Sequence, residues 1–289
     1  MITLNAYAKV NLFLKIKEKR TDGYHEIESI MQKLDLHDVI SLEINSTGII
    51  EILNSGGSNS IDIPWDETNL VFKAAKIFKE TLKIKDGCII KIKKGIPASA
   101  GLGGGSSDAA ATLIGVNRLW NTNLPKEILA QMGEKIGSDV PFFLYRGTAL
   151  VTGKGEKVFS LPSLPKIWFI LIKPPKGVST RWAYENFDLI NDTPEQKDIN
   201  EIINCLKKGN EEKIFKMLYN DMERVVFKYY PELKDIKDFL LGSGAQNALL
   251  SGSGSTIFGI CKNKKDAYSI YNKITPCSLG EVYVCCSIT

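Results

Sequence analysis

The sequence predicts an α+β chain of two domains, and three observations carry that prediction. Runs with a two-residue period occupy the first hundred or so residues, a glycine-rich turn beginning at Pro97 opens onto an alanine-rich helix, and strand-like and helical runs alternate beyond residue 166. Prolines at 162 and 165 and a change of composition between Leu161 and Lys166 mark the expected boundary, dividing residues 1–160 from residues 161–289.

The opening segment alternates. Ala8, Val10, Leu12, Leu14 and Ile16 fall on one side of an extended chain and Lys9, Asn11, Phe13 and Lys15 on the other, so a half-buried strand is expected with Lys9 and Asn11 on one face. Asp22-Gly23 signals a tight turn before Tyr24 and His25. Strand-like runs follow at 39–44, 48–53 and 88–94, and apolar residues at three- and four-residue steps predict a helix over 69–82. A helix is expected over 108–120, with Ser106, Ser107 or Asp108 available as its N-cap, and another over 126–136, opened by Pro125. A loop through Gly137, Ser138 and Asp139 then leads to short strands. In the second half, strands are expected at 167–174, 256–262 and 281–288, with helices around 199–220, 229–240 and 265–274. That order suggests an open α/β layer of the ferredoxin-like kind.

At 289 residues and 44% hydrophobic, the chain has enough apolar material for one large core or two moderate ones. Its net charge of +4 comes from 37 basic and 33 acidic residues spread along the length. Without a basic block or a cluster of stacking aromatics, this argues against a nucleic-acid surface. Six cysteines show no metal-ligand spacing, and adjacent Cys285 and Cys286 are poorly placed for a mutual disulfide, so reduced thiols are expected. No signal-peptide pattern and no run of about 20 apolar residues is present, which makes the cytoplasm the expected location and a membrane partner unexpected.

The segment 96–111, Ile-Pro-Ala-Ser-Ala-Gly-Leu-Gly-Gly-Gly-Ser-Ser-Asp-Ala-Ala-Ala, carries the most chemical information. Gly101, Gly103, Gly104 and Gly105 allow sharp bends and close approach of backbone to a ligand, and the helix that follows offers free N–H groups at the positive end of its dipole. Such a place suits a phosphate chain, with hydroxyls of Ser99, Ser106 and Ser107 as further donors. A Walker A loop requires Gly-Lys-Ser or Gly-Lys-Thr at its end and fails here. A Rossmann turn lacks its acidic residue on a second parallel strand. A flexible linker rarely abuts a well-capped alanine-rich helix. A second run, Ser251 to Ser255, reads alone as a tight turn, and with the first it can close a cleft over a nucleotide.

Phosphoryl transfer needs an aligned acceptor hydroxyl, neutralised phosphoryl charge and often a carboxylate to receive a proton. Asp139, beside Val140, Pro141, Phe142 and Phe143, is a candidate carboxylate whose other reading is a turn or capping residue. Lys9 is a candidate cation whose other reading is a solvated strand lysine. His25 reads either as an exposed hairpin residue or as an imidazole that bonds a base edge while an aromatic ring stacks on it.

Five stretches together, at 6–16, 22–38, 97–111, 137–143 and 249–259, resemble the GHMP superfamily of galactokinase, homoserine kinase, mevalonate kinase and phosphomevalonate kinase. The longer glycine turn and the Asp-Gly-Tyr-His element resemble its branch acting on a cytidyl diphosphate. The resemblance implies two domains, an N-terminal one with ribosomal-protein-like architecture and a C-terminal ferredoxin-like one, with the active site in the cleft. It implies transfer of the γ-phosphoryl group of ATP, with Mg²⁺, to the 2-hydroxyl of 4-diphosphocytidyl-2-C-methyl-D-erythritol, in the non-mevalonate route to isoprenoids. Homoserine and mevalonate are the alternative acceptors, and RNA binding is a remoter alternative.

Residue by residue, the resemblance makes Asp139 the general base and Lys9 its cationic partner. It places ATP on Pro97, Ala98, Ser99, Ala100, Gly101, Leu102, Gly103, Gly104, Gly105, Ser106 and Ser107, with Asn69, Leu70 and Val71 at the adenine and Lys94 nearby. Asn11 is placed near the reacting end of the acceptor, and Tyr24, His25, Thr180 and Tyr184 around its cytosine. Tyr184, Trp182 and Phe187 all compete for the stacking position, Tyr184 being favoured. No metal carboxylate is identified, and a monomer or weak homodimer is expected.

Overall fold

The structure is a computed structural model and describes residues 1–57, 63–190 and 197–289. It is built from two sheets. In the first, β1 (Ile2–Lys19) pairs antiparallel with β2 (His25–Asn45) through the Asp22-Gly23 turn, where Gly23 takes a φ of 86°. The early part of β2 also pairs with β5 (Thr148–Gly153) and the later part with β4 (Gly87–Lys94). β3 (Ile50–Gly57) extends the sheet parallel to β4, and β6 (Lys157–Ser160) extends it beyond β5.

Three helices cover one face of this sheet. α1 (Leu70–Leu82) starts where the Asn69 side chain accepts the Val71 N–H at 2.9 Å and ends at Lys83 in the left-handed region. Its apolar stripe of Val71, Ala74 and Phe78 packs with Ala109, Leu113 and Val116 of α2 (Gly104–Leu119) onto Ile40, Leu42 and Ile90 of the sheet. α3 (Lys126–Glu134) follows Pro125, and a short 3-10 turn, Pro141–Leu144, sets Phe142 and Phe143 against α2.

The second sheet runs β11 (Glu281–Cys286), β7 (Trp168–Lys173), β10 (Ile257–Cys261), β9 (Asn247–Leu250), antiparallel throughout. With helices α4 (Thr180–Phe187), α5 (Ile199–Lys207), α6 (Glu211–Lys216), α7 (Met222–Tyr229) and α8 (Pro231–Gly242) between β7 and β9, and α9 (Lys264–Ile274) between β10 and β11, this is the strand order of a ferredoxin-like layer. A two-residue strand, β8 (Tyr219–Asn220), returns to the first sheet and lies parallel to β1. Ala8, Val10 and Leu12 of β1 share one apolar cluster with Phe169 and Leu171 of β7 and Phe258 of β10, so a single core joins the two sheets.

Three expectations change here. β1 is buried on both faces rather than one, because the glycine-rich turns, and not solvent, cover the side that carries Lys9 and Asn11. The helix after the first turn begins at Gly104 with Gly103 as its N-cap, so Ser106, Ser107 and Asp108 lie inside its first turns and none caps it. The span 199–220 is two helices separated at Gly209 and then β8, whose pairing partner is more than 200 residues away and invisible to local pattern. All six cysteines are free thiols, as expected. Among the described residues no helix is long and apolar enough to cross a membrane.

Candidate active site

The two glycine runs meet. Gly101 takes a φ of 73°, and a Cβ there would stand 2.2 Å from the carbonyl oxygen of Ser251. No other residue fits that contact, since it requires both the left-handed region and bare backbone. The Ser251 hydroxyl donates to the Gly101 carbonyl at 2.9 Å, and Asn220 donates to the carbonyls of Leu250 and Gly252, both at 2.8 Å. The second run is thereby pinned between the first turn and β8.

Gly103, with a φ of 71°, sets the start of α2. The N–H groups of Gly104, Gly105 and Ser106 precede the first bond of the helix, which Ser107 makes to the Gly103 carbonyl at 2.9 Å. Their N–H bonds and the helix dipole converge where an anion gains most. The Lys9 N–H donates to the Leu102 carbonyl at 3.0 Å, which fastens β1 to the same turn.

Lys9 is only 4% exposed. Its ammonium donates to the Asn11 side-chain oxygen at 2.6 Å and lies 3.7 Å from the Asp139 carboxylate, which remains 30% exposed. Asn11 in turn donates to the Ser29 hydroxyl at 2.8 Å, and Ser29 donates to the Phe13 carbonyl, so Asn11 is held with its oxygen toward Lys9. A Cβ on Gly252 would come within 3.4 Å of both Lys9 Nζ and Asn11 Oδ1, which places the second glycine run over the pair. Burial lowers the Lys9 pKa below the usual lysine value despite the opposing charge of Asp139. A lysine, an amide and a partly exposed carboxylate therefore stand beside a turn of free N–H groups, which is the equipment phosphoryl transfer requires.

Tyr184 and His25 are stacked, their rings 5.4 Å apart at 26°. The His25 ring nitrogen Nε2 lies 2.7 Å from Asp188, whose carboxylate also pairs with Lys19. Burial alone would raise the Asp188 pKa, yet its bonds to Lys19 and His25 hold it below the usual range. Burial, helped by the charge of Asp139, pushes the Tyr184 phenol upward, which ties this aromatic pair electrostatically to the carboxylate by Lys9. Phe187 meets His25 edge-on at 6.3 Å, whereas Trp182 packs against Tyr229 and Tyr230. Tyr24 is 56% exposed, with the Lys154 ammonium 5.3 Å from its ring centre. Thr180, at the start of α4, shares a hydrogen bond of 2.8 Å with Ser253 of the second glycine run.

On the other flank, Leu70 lies 3.6 Å from a Cβ built on Gly105, and Asn69 and Val71 are buried beside it. Lys94 is placed differently from a cation facing phosphate: it is buried beneath the turn, bonded to Asp38 and to Asp108, the latter at 2.8 Å. Sequence reasoning missed Asp38, Ser29, Asp188 and Asn220, whose polar contacts join segments distant in the chain. Among the described residues no group of three or more His, Cys, Asp or Glu could cage a metal.

Comparison with known proteins shows which family the chain resembles. The family model for the GHMP kinases N-terminal domain matches residues 69–147, and that for the GHMP kinases C-terminal domain matches residues 202–277. A protein of Geobacillus sp. (strain WCH70), named 4-diphosphocytidyl-2-C-methyl-D-erythritol kinase, is 43% identical over 94% of this chain and 92% of its own length. One of the same name from Bacillus subtilis (strain 168) is 44% identical over 92% of this chain and 90% of its own. Among solved structures, a 4-(cytidine 5'-diphospho)-2C-methyl-D-erythritol kinase superposes with a TM-score of 0.83 at 29% identity, covering 100% of both chains. The L. major mevalonate kinase shares the fold, with a TM-score of 0.78 at 17% identity over 99% of this chain and 96% of that one. The chain belongs to the GHMP kinases and, within them, to the 4-diphosphocytidyl-2-C-methyl-D-erythritol kinase family.

Proposed function

We propose that this ATP-dependent kinase transfers the γ-phosphoryl group to the 2-hydroxyl of 4-diphosphocytidyl-2-C-methyl-D-erythritol, yielding the 2-phosphate and ADP. The observation that carries the reading is the Lys9–Asp139 pair, 3.7 Å apart, beside the glycine turn. Asp139 receives or orients the acceptor's hydroxyl proton. Lys9, held by Asn11 and shielded from water, supplies positive charge to the transferring group, and burial strengthens that interaction. Residues 97–107 hold the triphosphate, and Asn69, Leu70 and Val71 border the adenine.

His25 reads the cytosine edge, with Tyr184 and Tyr24 bordering the base and Thr180 lining its pocket. Mg²⁺ fits as an ion borne by the nucleotide: among the described residues no group of three or more His, Cys, Asp or Glu could cage it, so phosphate oxygens and water would supply its ligands. When bound it neutralises phosphate charge. The protein works in the cytoplasm on a small molecule, without nucleic acid, as a monomer or weak homodimer, its domains meeting near residues 160 and 161.

The test is ADP release by purified protein with Mg-ATP and 4-diphosphocytidyl-2-C-methyl-D-erythritol. Turnover well above the rate without acceptor is expected, and none above background rejects the reading. His25→Ala distinguishes the acceptors, since loss of a base contact harms only a cytidyl substrate and leaves activity on homoserine or mevalonate untouched.

A further inference from the structure

Beneath the glycine turn lies a cluster of buried charges that the transfer step does not use. Lys94, at the end of β4 and 5% exposed, donates to Asp38 of β2 and to Asp108 of α2, both buried. Asp38 accepts in addition the N–H groups of Gly95 at 2.6 Å and Ile96 at 2.8 Å, the two residues that lead into Pro97. Asp108 is the fifth residue of α2, immediately after the phosphate-facing segment 97–107. The cluster therefore grips the chain on both sides of residues 97–107 and on the strand beneath. Lys94 Nζ comes within 3.6 Å of a Cβ built on Gly104, directly under the first N–H groups of the helix.

From these contacts the geometry points to Asp38, Lys94 and Asp108 as a positioning clamp for the nucleotide: it fixes the distance between the entry to the turn and the N-terminus of α2, and touches no phosphate itself. The inference rests on the reading of that turn as the ATP site. The charges are arranged for the task. Two carboxylates around one ammonium leave an excess negative charge next to a triphosphate, a costly arrangement in a buried place. Burial first, and then the charge of Asp38, push the Asp108 carboxyl well above the usual range against the pull of Lys94. Lys94 keeps its own proton firmly, since the attraction of the two carboxylates outweighs the effect of burial.

The experiment measures Mg-AMPPNP affinity by titration calorimetry, together with KM for each substrate and kcat. Lys94→Met and Asp38→Asn are each expected to weaken nucleotide binding and raise KM for ATP about tenfold, with KM for the acceptor and kcat at saturating ATP within about twofold. Asp108→Asn, which keeps an acceptor for Lys94, is expected to retain affinity within about threefold, whereas Asp108→Leu loses about tenfold. Lys91→Met, on the same strand but paired with Glu43 at the surface, is the unaffected control.

Circular dichroism establishes which variants fold; if Lys94→Met does not, Asp38→Asn and the Asp108 pair decide. A lysine in direct contact with phosphate predicts the opposite for Asp38→Asn, which frees it and leaves or improves affinity; that result overturns the clamp. Folded variants with unchanged nucleotide affinity, or with both KM values altered equally, overturn it too. Wild-type protein that binds no AMPPNP removes the ATP reading, and the clamp with it.

Discussion

Lys9 and Lys94 stand in neighbouring parts of one sheet, one on each side of the glycine turn, and both are almost wholly buried. Lys9 has a single, distant and partly exposed carboxylate at 3.7 Å, an amide oxygen closer by, and a lowered pKa. Lys94 has two buried carboxylates in direct contact and a raised one. Burial alone therefore does not mark a functional charge. An ammonium with an incomplete set of partners, next to an opening, can still turn to an incoming anion, whereas one with its partners filled can only hold its neighbours in place.

The largest expected effects break the Lys9 side of this contrast. Asp139→Asn lowers kcat by about 10² or more while nucleotide affinity stays near that of the parent, as removal of a positioned acid-base group commonly does. Unchanged steady-state turnover removes Asp139 from the mechanism. Lys9→Met lowers kcat by about 10²-fold, the scale of one lost electrostatic contact to the transition state; a change confined to KM for ATP moves Lys9 to binding alone.

A smaller effect comes from the backbone between the lysines. Gly101→Ala forces a Cβ toward the Ser251 carbonyl and a strained φ, so KM for ATP rises about tenfold and stability falls by about 1–3 kcal/mol. Calorimetry and urea unfolding read the two effects separately, and an intact Gly101→Ala protein rules out tight closure of the two glycine runs.

The smallest effect concerns a third buried lysine. Lys33 donates to the carbonyls of Phe143 and Tyr145 and has no carboxylate partner among the described residues, so burial pulls its pKa from 10.5 to about 8. The sign follows from linkage: between pH 8 and 10.5 the unfolded chain binds more protons than the folded one, so stability rises with pH across that window. Urea unfolding at pH 7.5 and 9.5 reads a gain of about 1–2 kcal/mol in the parent protein. Its persistence in Lys33→Met assigns the gain to another group.

Much of the site is legible in the sequence because its parts are local. The glycine turn with its helix occupies consecutive residues, and a two-residue period puts Lys9 and Asn11 on one face before any partner is known. Asp139 stands out because a carboxylate among apolar residues needs a reason to be there. What supports these residues is not legible. Asp38 sits in a run that reads as an ordinary strand, and its role depends on Lys94 and Asp108, 56 and 70 positions further on. Asn220 and the two-residue β8 carry no periodicity, and their task appears only when Leu250 and Gly252 are folded against them. Likewise the alternating β1 pattern gives the side each residue faces, but not that glycine-rich backbone, rather than water, lies over its polar side.

The placement of β1 also sets an order of events during synthesis. It leaves the ribosome well before its partners do: one neighbour in its sheet is Tyr219–Asn220, and the apolar layer over Ala8, Val10 and Leu12 includes Phe258. Until some 240 further residues have been made, that strand waits with an unsatisfied edge and a greasy surface. Chaperone dependence, and misassembly when translation stalls in the second half, follow from this long wait.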